Sequence, residues 1–216
     1  MDPITQQLLL ASAAAAGAPE IGDEYEGGFF AGYISHNADG VATHALIVAP
    51  AATGATGTGY TLTTRKKWQT TTSNTGATSL YDGASNTALM TNSPAADFCT
   101  GLTINGHSDW YLPARDELEI AYFNFKPKTD NNVTYVGVNN YAVPKRTSNY
   151  TTGNPAQTSV VAFQFGNSEA FIATYHWSST DSTSTTANII LFEEGAQSAF
   201  NKVNAQRVRA FRKVAV

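Results

Sequence analysis

The sequence predicts a strand-rich, loop-rich fold with a few short helices, and three observations support this prediction. Thr, Ser, Asn and Gly are abundant while Lys and Glu are scarce, a composition that favours strands and turns over long helices. Short apolar runs separated by turns fill the last third of the chain, which is the pattern of antiparallel strands. One segment near the middle carries acidic residues followed by apolar residues at helical spacing.

The sequence signals for secondary structure are clearest between residues 105 and 124, where a turn, an apolar run and a helix are predicted in succession. Asn105-Gly106 can adopt the positive φ angles of a turn, and Trp110–Leu112 form a short apolar run that Pro113 ends. A helix is predicted directly afterwards, from residue 115. We expect this helix to lie against a core that contains the tryptophan of the preceding run.

The acidic residues of that helix bear on catalysis. An enzyme would need a nucleophile with its base, a metal cage or paired acids in a cleft. Asp116, Glu117 and Glu119 fall in the first turn, where we expect them to complement the helix dipole and to face solvent. We therefore predict no catalytic residues, no cofactor and no enzymatic activity.

Strands are predicted at both ends of the chain. Phe29–Ile34 and Ala45–Ala49 form a predicted hairpin around the turn-rich residues 36–40, and Tyr60–Trp68 is predicted as a further strand or an exposed arm. We expect the last strand to pair near the first. The strands predicted in the last third are Val160–Phe165, Phe171–Ala173, His176–Ser179, Ala187–Phe192 and Arg207–Val214.

The stretch from Tyr81 to Phe98 begins with a turn and is predicted to contain a short, irregular helix. Asp82, Asn86 and Asp97 could offer oxygen ligands to Ca²⁺. Their spacing is not that of an EF-hand loop, so we favour a turn at Asp82-Gly83 and a helix cap at Asn86. No metal site is predicted.

Composition excludes several classes of partner. With 216 residues, 42% of them hydrophobic, the chain can build one good core, and its net charge of −4 lacks the basic footprint of a nucleic-acid binder. Cys99 is the sole cysteine, which excludes an intrachain disulfide and a thiolate metal cage. No apolar run approaches the roughly 18 residues of a membrane span, so no membrane insertion is expected.

The first 18 residues are predicted to form a docking helix. Asp2 can cap it, Pro3 suits its first position, and Gly17 with Pro19 can end it. Its small and apolar side chains suit close packing in an assembly. A secretory signal peptide is the alternative, although the segment carries no Lys or Arg before its apolar run. The predicted docking residues are Ile4, Leu8, Leu9, Ala11 and Ala15, followed by a linker over residues 19–28 and one domain over residues 29–216.

Residues 126–157 are predicted to be a long surface excursion rich in Asn, Thr, Tyr and Pro. Loops of this length inside a domain are usually functional or disordered, and Tyr with Asn combines rigid aromatic contacts with adaptable hydrogen bonds. The alternative is that these tyrosines pin the loop to the body or to a neighbouring subunit. The candidate binding residues are Trp68, Tyr135, Asn139, Asn140, Tyr141 and Tyr150.

Three stretches together resemble the Lcl C-terminal domain family, found at the end of a bacterial collagen-like adhesin and in phage virion proteins. They are Gly106–Leu118, Trp177–Thr180 and Arg207–Arg212, in the family's order. Tyr111 departs from the family's usual Arg. The residues that match are Asp109, Trp110, Leu112, Pro113, Glu117, Leu118, Trp177, Ser178, Ser179, Thr180, Val208, Arg209 and Arg212.

The resemblance implies an α+β, C-type-lectin-like domain with twisted antiparallel sheets, one or two flanking helices and loops that present a binding surface. The related formylglycine-generating enzymes use paired cysteines, which Cys99 alone does not supply. The calcium-binding signature of true C-type lectins is absent, so any glycan contact would be calcium-independent.

His176, which has no other histidine near it in the sequence, is expected to be a packed core residue and not a ligand. The expected scaffold residues are Trp110, Leu112, Pro113, Glu117, Leu118, Trp177, Val208 and Phe211.

The first 18 residues also resemble the opening helix of tail-associated phage proteins. We therefore expect a phage virion protein, a tail fibre or adhesin that docks by this helix onto other virion proteins and displays its domain to a host-surface glycan or protein. A homo-oligomer is expected, a trimer by preference. The alternatives are a decoration or collar protein that contacts only neighbouring subunits, and a secreted bacterial adhesin domain that binds glycans.

Overall fold

Three antiparallel sheets and four short helices are formed by residues 17–56 and 64–216, the parts of the chain that this computed structural model describes. The protein is of mixed α+β type, as expected. The predicted docking residues Ile4, Leu8, Leu9, Ala11 and Ala15 lie outside the described residues.

The first sheet contains β1 (Glu24–Tyr25), β2 (Gly28–Ile34), β3 (His44–Val48), β5 (Ala142–Val143) and β10 (Phe211–Ala215). Its strand order is β1-β2-β3-β10, and β5 pairs with the end of β2 on the same edge as β1. The predicted N-terminal hairpin is confirmed, and the last strand pairs with its second strand, with Phe211 opposite Val48. Because β1 lies within the predicted linker, the sheet begins earlier in the chain than expected.

Two smaller sheets complete the strands. β4 (Lys66–Lys67) pairs with β9 (Ala205–Gln206), and β6 (Tyr175–Asp181), β7 (Thr186–Leu191) and β8 (Gln197–Asn201) pair in sequence order. The strands predicted around residues 176–179 and 187–192 are confirmed. β8 was not predicted, because as an exposed edge strand it carries mostly polar residues and no apolar alternation.

Two predicted strands are wrong. Val160–Phe165 contains a 3₁₀ helix over Val161–Phe163, and Phe171–Ala173 has no regular structure. Both segments bury aromatic rings from an irregular backbone: Phe163 stacks on Phe125 at 3.8 Å and Phe171 on Phe192 at 4.2 Å between ring centroids. Their apolar residues therefore reflect core contacts without strand pairing.

The helices are α1 (Ala51–Gly54), α2 (Gly83–Leu89), α3 (Pro94–Thr100) and α4 (Arg115–Phe125). The helix predicted after Pro113 is thereby confirmed, and Asn105 and Gly106 have the positive φ angles expected of the turn before it. Asp82 caps α2 by accepting a hydrogen bond from the Ser85 backbone N–H, so the cap predicted at Asn86 is wrong. None of the described helices combines the length and apolarity that crossing a membrane requires.

The core consists of two adjoining clusters. The first surrounds α4, and the second contains the three tryptophans. Trp110 and Trp177 are buried as expected, and Trp177 donates a hydrogen bond from Nε1 to the Lys66 carbonyl. All the expected scaffold residues are buried: Trp110, Leu112, Pro113, Glu117, Leu118, Trp177, Val208 and Phe211.

The prediction that the acids of α4 face solvent is wrong. Asp116, Glu117 and Glu119 are all buried, because loops from elsewhere in the chain cover the first turns of the helix. The Glu117 carboxylate accepts hydrogen bonds from the backbone N–H groups of Gly83 and Ala114 and from the Tyr111 hydroxyl. Buried carboxylates need such donors, since desolvation without them is costly.

Candidate functional site

The 126–157 loop is fastened to the body of the protein at its first half. The buried Lys126 donates from Nζ to the carbonyls of Asp130 and Pro155. Asn132 is buried too: its Oδ1 accepts from the Tyr122 hydroxyl at 2.6 Å and its amide nitrogen donates to loop carbonyls. This part of the excursion is ordered by polar contacts that close the loop on itself.

The second half of the loop converges on Glu119. Its fully buried carboxylate pairs with Arg146 and accepts hydrogen bonds from the Asn139 amide and the Tyr150 hydroxyl. The Arg146 guanidinium also lies 4.2 Å from the centroid of the Phe123 ring. Burial lowers the Arg146 pKa to about 10, the dominant effect even against the nearby Tyr150 and Asp116. A buried charge with this many partners fixes the loop in one arrangement.

Two of the residues predicted for binding are therefore anchors. Asn139 uses its whole side chain, since its amide nitrogen donates to the Asp116 carbonyl and Glu119, while its Oδ1 accepts from the N–H groups of Tyr141 and Ala142. Tyr150 is buried, and the surface role predicted for both residues is wrong. The reason is the buried Glu119, which needs donors. For these residues the alternative that the loop is pinned to the body describes the structure.

Trp68 is likewise not a surface residue. Its indole is fully buried and donates from Nε1 to the Ser178 carbonyl at 2.7 Å. Lys202 lies over the Trp68 ring at 4.6 Å and forms a buried ion pair with Asp181, with 2.7 Å between Nζ and Oδ1. The predicted exposed arm thus ends as part of the second core cluster, covered by Lys202.

The remaining predicted residues are accessible. Tyr135 is 67% exposed, Asn140 is exposed and Tyr141 is half-buried. Val138 on the same loop is 44% exposed. Gly137, which lies between Tyr135 and Val138 in the sequence, has a φ angle of +122°, and a Cβ atom there would collide with Tyr150. Only glycine therefore allows the loop backbone to pass so close to the anchor Tyr150. The exposed side chains of the loop are therefore positioned by the buried residues next to them.

Tyr141 is the last member of a row of four half-buried rings, which we call the ring row: His44, His36, Tyr81 and Tyr141. The centroid distances along it are 4.3 Å, 5.1 Å and 4.3 Å. The two tyrosines are stacked, so one face of Tyr141 is covered by Tyr81. Among the described residues, no other aromatic ring or cation lies over its opposite face.

Sequence reasoning missed the first three members of this row. His36 and His44 flank the turn of the β2–β3 hairpin, and Tyr81 precedes the cap of α2, so each had a local explanation. Their meeting with Tyr141 depends on contacts between distant segments. A backbone hydrogen bond from Asp116 to the Leu80 carbonyl and the Asn139 contact to Asp116 bring Tyr81 and Tyr141 to the same end of α4.

The imidazoles of the row are held neutral. Burial lowers the pKa of His36 to about 4, aided by the nearby Lys213 and His44. The His36 Nε2 atom is buried without an acceptor among the described residues, so a proton there has no partner. Burial and Lys213 also lower the pKa of His44.

The cations beside the row are paired. Lys213 Nζ lies 2.6 Å from Asp82 Oδ1, and Arg115 Nε lies 2.8 Å from Asp116 Oδ1. Burial, the largest effect on Asp82, raises its pKa, but hydrogen bonds from Lys213 and Ser85 outweigh it and lower the value to about 2. Asp82 is thereby committed to an ion pair and a helix cap.

Other titratable groups have structural partners. His176 is buried as expected, and its Nδ1 contacts the Thr174 carbonyl at 3.0 Å. Burial raises the pKa of the Cys99 thiol. Within residues 17–56 and 64–216, no three His, Cys, Asp or Glu side chains are grouped so that they could hold a metal ion.

Comparison with known proteins gave no assignment. No protein-family model matches the chain. No curated protein matches it either.

Proposed function

We propose that this chain is a structural protein of a phage virion, a tail fibre or adhesin that docks by its N-terminal segment and displays a C-type-lectin-like domain toward the host surface. The proposal includes a homo-oligomer, a trimer by preference, and assigns the chain no catalytic role. The proposal is supported by the sequence resemblance, because the three stretches that carry it contact one another in the structure.

These contacts join all three stretches. Tyr111 and Phe211 exchange backbone hydrogen bonds of 2.8 and 2.9 Å, and the Trp177 N–H donates to the Arg207 carbonyl at 2.9 Å. The Ser179 N–H donates to the Pro113 carbonyl at 2.7 Å. Segments that share motifs with one family thus build one connected unit, as parts of a common scaffold would, and this supports the lectin-like fold.

The observation that carries the display function is the division of the 126–157 loop into buried anchors and exposed side chains. Asn139 and Tyr150 are fixed on Glu119, while Tyr135, Asn140 and Tyr141 remain accessible. A loop ordered before it meets its partner loses little entropy on binding. Aromatic and amide side chains presented in this way are typical of recognition surfaces.

The test is binding of the purified full chain to host cells, with the Tyr135→Ala/Tyr141→Ala double variant. We expect the double variant to lose at least about tenfold in affinity, a loss of about 1.4 kcal/mol, because it removes both accessible rings. Phe165→Ala is the matched control, since Phe165 is another exposed aromatic residue and its ring lies beside Lys128 and not beside Tyr135 or Tyr141. Equal binding of the double variant and the native chain would contradict the proposal, provided that thermal unfolding shows the variant to be folded.

The exposed Tyr135 and Val138 also favour the second candidate, a decoration or collar protein whose loops contact only neighbouring virion subunits. This candidate predicts that the purified chain binds other virion proteins and not cells. In it, the same double variant would weaken incorporation into particles, which quantitative blotting of purified virions measures.

A further inference from the structure

Tyr81 covers one face of the half-buried Tyr141, and the opposite face has features of a ligand site whose chemistry can be specified. We propose that Tyr141 and the polar groups beside it bind an uncharged saccharide without calcium. This inference rests on the proposed function, because it names the class of host-surface molecule that the exposed loop would contact.

The geometry of the ring favours stacking. Tyr81 covers one face of Tyr141 with 4.3 Å between centroids and 24° between planes, which fixes the orientation of the ring. The opposite face is free of rings and cations of the described residues. An aromatic face offers a sugar ring an apolar surface for its C–H groups, and the tyrosine hydroxyl keeps a polar handle at the edge.

Tyr141 and its neighbours carry hydrogen-bonding groups without partners among the described residues. The hydroxyls of Tyr81 and Tyr141 and the Asn140 amide make no hydrogen bond to the described part of the chain. Arg115 binds Asp116 through Nε only, so its two terminal nitrogens are also available. Hydroxyls and amides both donate and accept, which matches the mixed hydrogen bonding of sugar hydroxyls.

The charges near the ring row argue against an acidic ligand. Lys213 is paired with Asp82, and Arg115 with Asp116. The hairpin turn adds Asp39, a carboxylate that accepts from the Ser35 hydroxyl, and Lys145 lies against Gly40 in the same turn. These six residues carry three charges of each sign, and the two imidazoles are neutral. Recognition of a sulfated or carboxylated polymer requires a positive surface, which this one is not.

The support beneath the site is rigid. Asn139, one of the anchors, directly precedes Asn140, and its Oδ1 accepts hydrogen bonds from the Tyr141 and Ala142 N–H groups at 3.0 Å. The backbone that carries the ligand contacts is thus fixed on Glu119 and α4. Such preorganisation raises affinity by lowering the entropy lost on binding.

The experiment uses the purified full chain on an array of neutral hexose and N-acetylhexosamine oligosaccharides printed beside uronate-bearing and sulfated ones. Soluble dextran and dextran sulfate provide a pair that differs in charge on one backbone. We expect binding confined to neutral members and unchanged by EDTA. Salt should have little effect on the affinity, since no ion pair forms with the ligand.

Tyr141→Ala should weaken binding to the best neutral oligosaccharide by at least about tenfold. Phe165→Ala serves as the control and should leave the affinity within about twofold, because this exposed ring is outside the site. Thermal unfolding of both variants separates a lost contact from a lost fold.

Three results would overturn the inference: binding only to acidic glycans with strong salt dependence, loss of binding in EDTA, or no glycan binding at all. If the chain then still adsorbs to host cells through Tyr135 and Tyr141, the proposed function stands and only the ligand class is wrong. Conversely, neutral glycan binding that Tyr141→Ala abolishes, without adsorption to cells, supports the site and contradicts the host-recognition role.

Discussion

Two buried glutamates on α4, Glu117 and Glu119, hold different parts of the protein together by different chemistry. Glu117 accepts from two backbone N–H groups and one hydroxyl, all neutral donors, which connect α2, the start of α4 and the segment before it. Glu119 binds Arg146, a full positive charge, together with two side chains of the 126–157 loop. One glutamate joins the core segments, and the other attaches the loop that carries the candidate site.

The difference in hydrogen-bond partners determines how much each carboxylate contributes to stability. A charge surrounded by neutral dipoles is stabilised only partly, and burial raises the Glu117 pKa to about 7 although the Ala114 N–H, Lys213 and the Tyr111 hydroxyl act against it. A charge opposite another buried charge cannot be removed alone, because its partner is left uncompensated. The same substitution at the two positions should therefore have unequal consequences.

The largest effect is expected from Glu119→Gln, which leaves Arg146, whose side chain is only 15% exposed, without its counter-charge. Removing one partner of a fully buried ion pair costs about 3–5 kcal/mol, which is the upper bound for this change. Urea unfolding measures the loss, and hydrogen exchange should locate it, with faster exchange confined to residues 133–150. The control is Glu193→Gln, since Glu193 forms only an exposed pair with Lys128 and should contribute less than about 1 kcal/mol.

Glu117→Gln sharpens the comparison, because we expect it to change stability by less than about 1 kcal/mol at pH 7. The amide oxygen can still accept from the N–H groups of Gly83 and Ala114, and the gain from removing a buried charge offsets the lost Tyr111 contact. Equal destabilisation by Glu117→Gln and Glu119→Gln would show that the difference in partners has no energetic consequence.

The pH dependence of the free energy of unfolding provides a second signature of Glu117. Its pKa in the folded protein, about 7, lies above the ordinary value of 4.5 for a glutamate side chain, so its contribution to stability is fully present below pH 4.5 and is lost as the pH rises to 7. The advantage of the native chain over Glu117→Gln should therefore shrink across this window, by at most about 1.4 kcal/mol per pH unit. Urea unfolding of both proteins from pH 4.5 to 8 measures it. A constant difference, or one that grows with pH, contradicts the assignment.

His176 imposes the reverse dependence on both proteins. Burial lowers its pKa from 6.5 to about 3, so the unfolded chain binds the proton first and stability falls as the pH drops below 6.5. Because His176 is present in the native chain and in Glu117→Gln, its effect cancels in their difference. The comparison of the two proteins thus isolates the carboxyl group.

The two glutamates also show how far the sequence alone predicts this protein. The N-terminal hairpin, α4, the β7 strand and the burial of Trp110 and Trp177 follow from local patterns, since each is encoded within a few residues. The burial of Glu119 depends on Asn139, Arg146 and Tyr150, which lie 20, 27 and 31 residues further along the chain. The periodicity of apolar residues along the sequence does not predict contacts between residues this far apart.

Only part of the candidate site was predicted from the sequence, again because local patterns do not encode contacts between distant segments. Tyr and Asn in a long loop indicated a recognition surface, and Tyr135, Asn140 and Tyr141 are accessible. Which of the loop residues point inward was not predictable, because an anchoring tyrosine and an exposed one have the same local sequence context. The imidazoles of the ring row come from a hairpin about 100 residues away, and nothing in either segment indicates the other.

Removing one hydroxyl at each glutamate, by Tyr111→Phe at Glu117 and by Tyr150→Phe at Glu119, tests the comparison at the level of a single hydrogen bond. Each change deletes one hydrogen bond to a carboxylate and should cost about 1 kcal/mol, with nearly equal shifts in the urea midpoint. Hydrogen exchange should distinguish them, because Tyr150→Phe loosens the loop around residues 133–150, whereas Tyr111→Phe weakens the junction of β10 with the segment before α4. If Tyr150→Phe instead accelerated exchange evenly through the core, the loop would be an inseparable part of the folded body, and its attachment through Glu119 would have no independent role in presenting Tyr141.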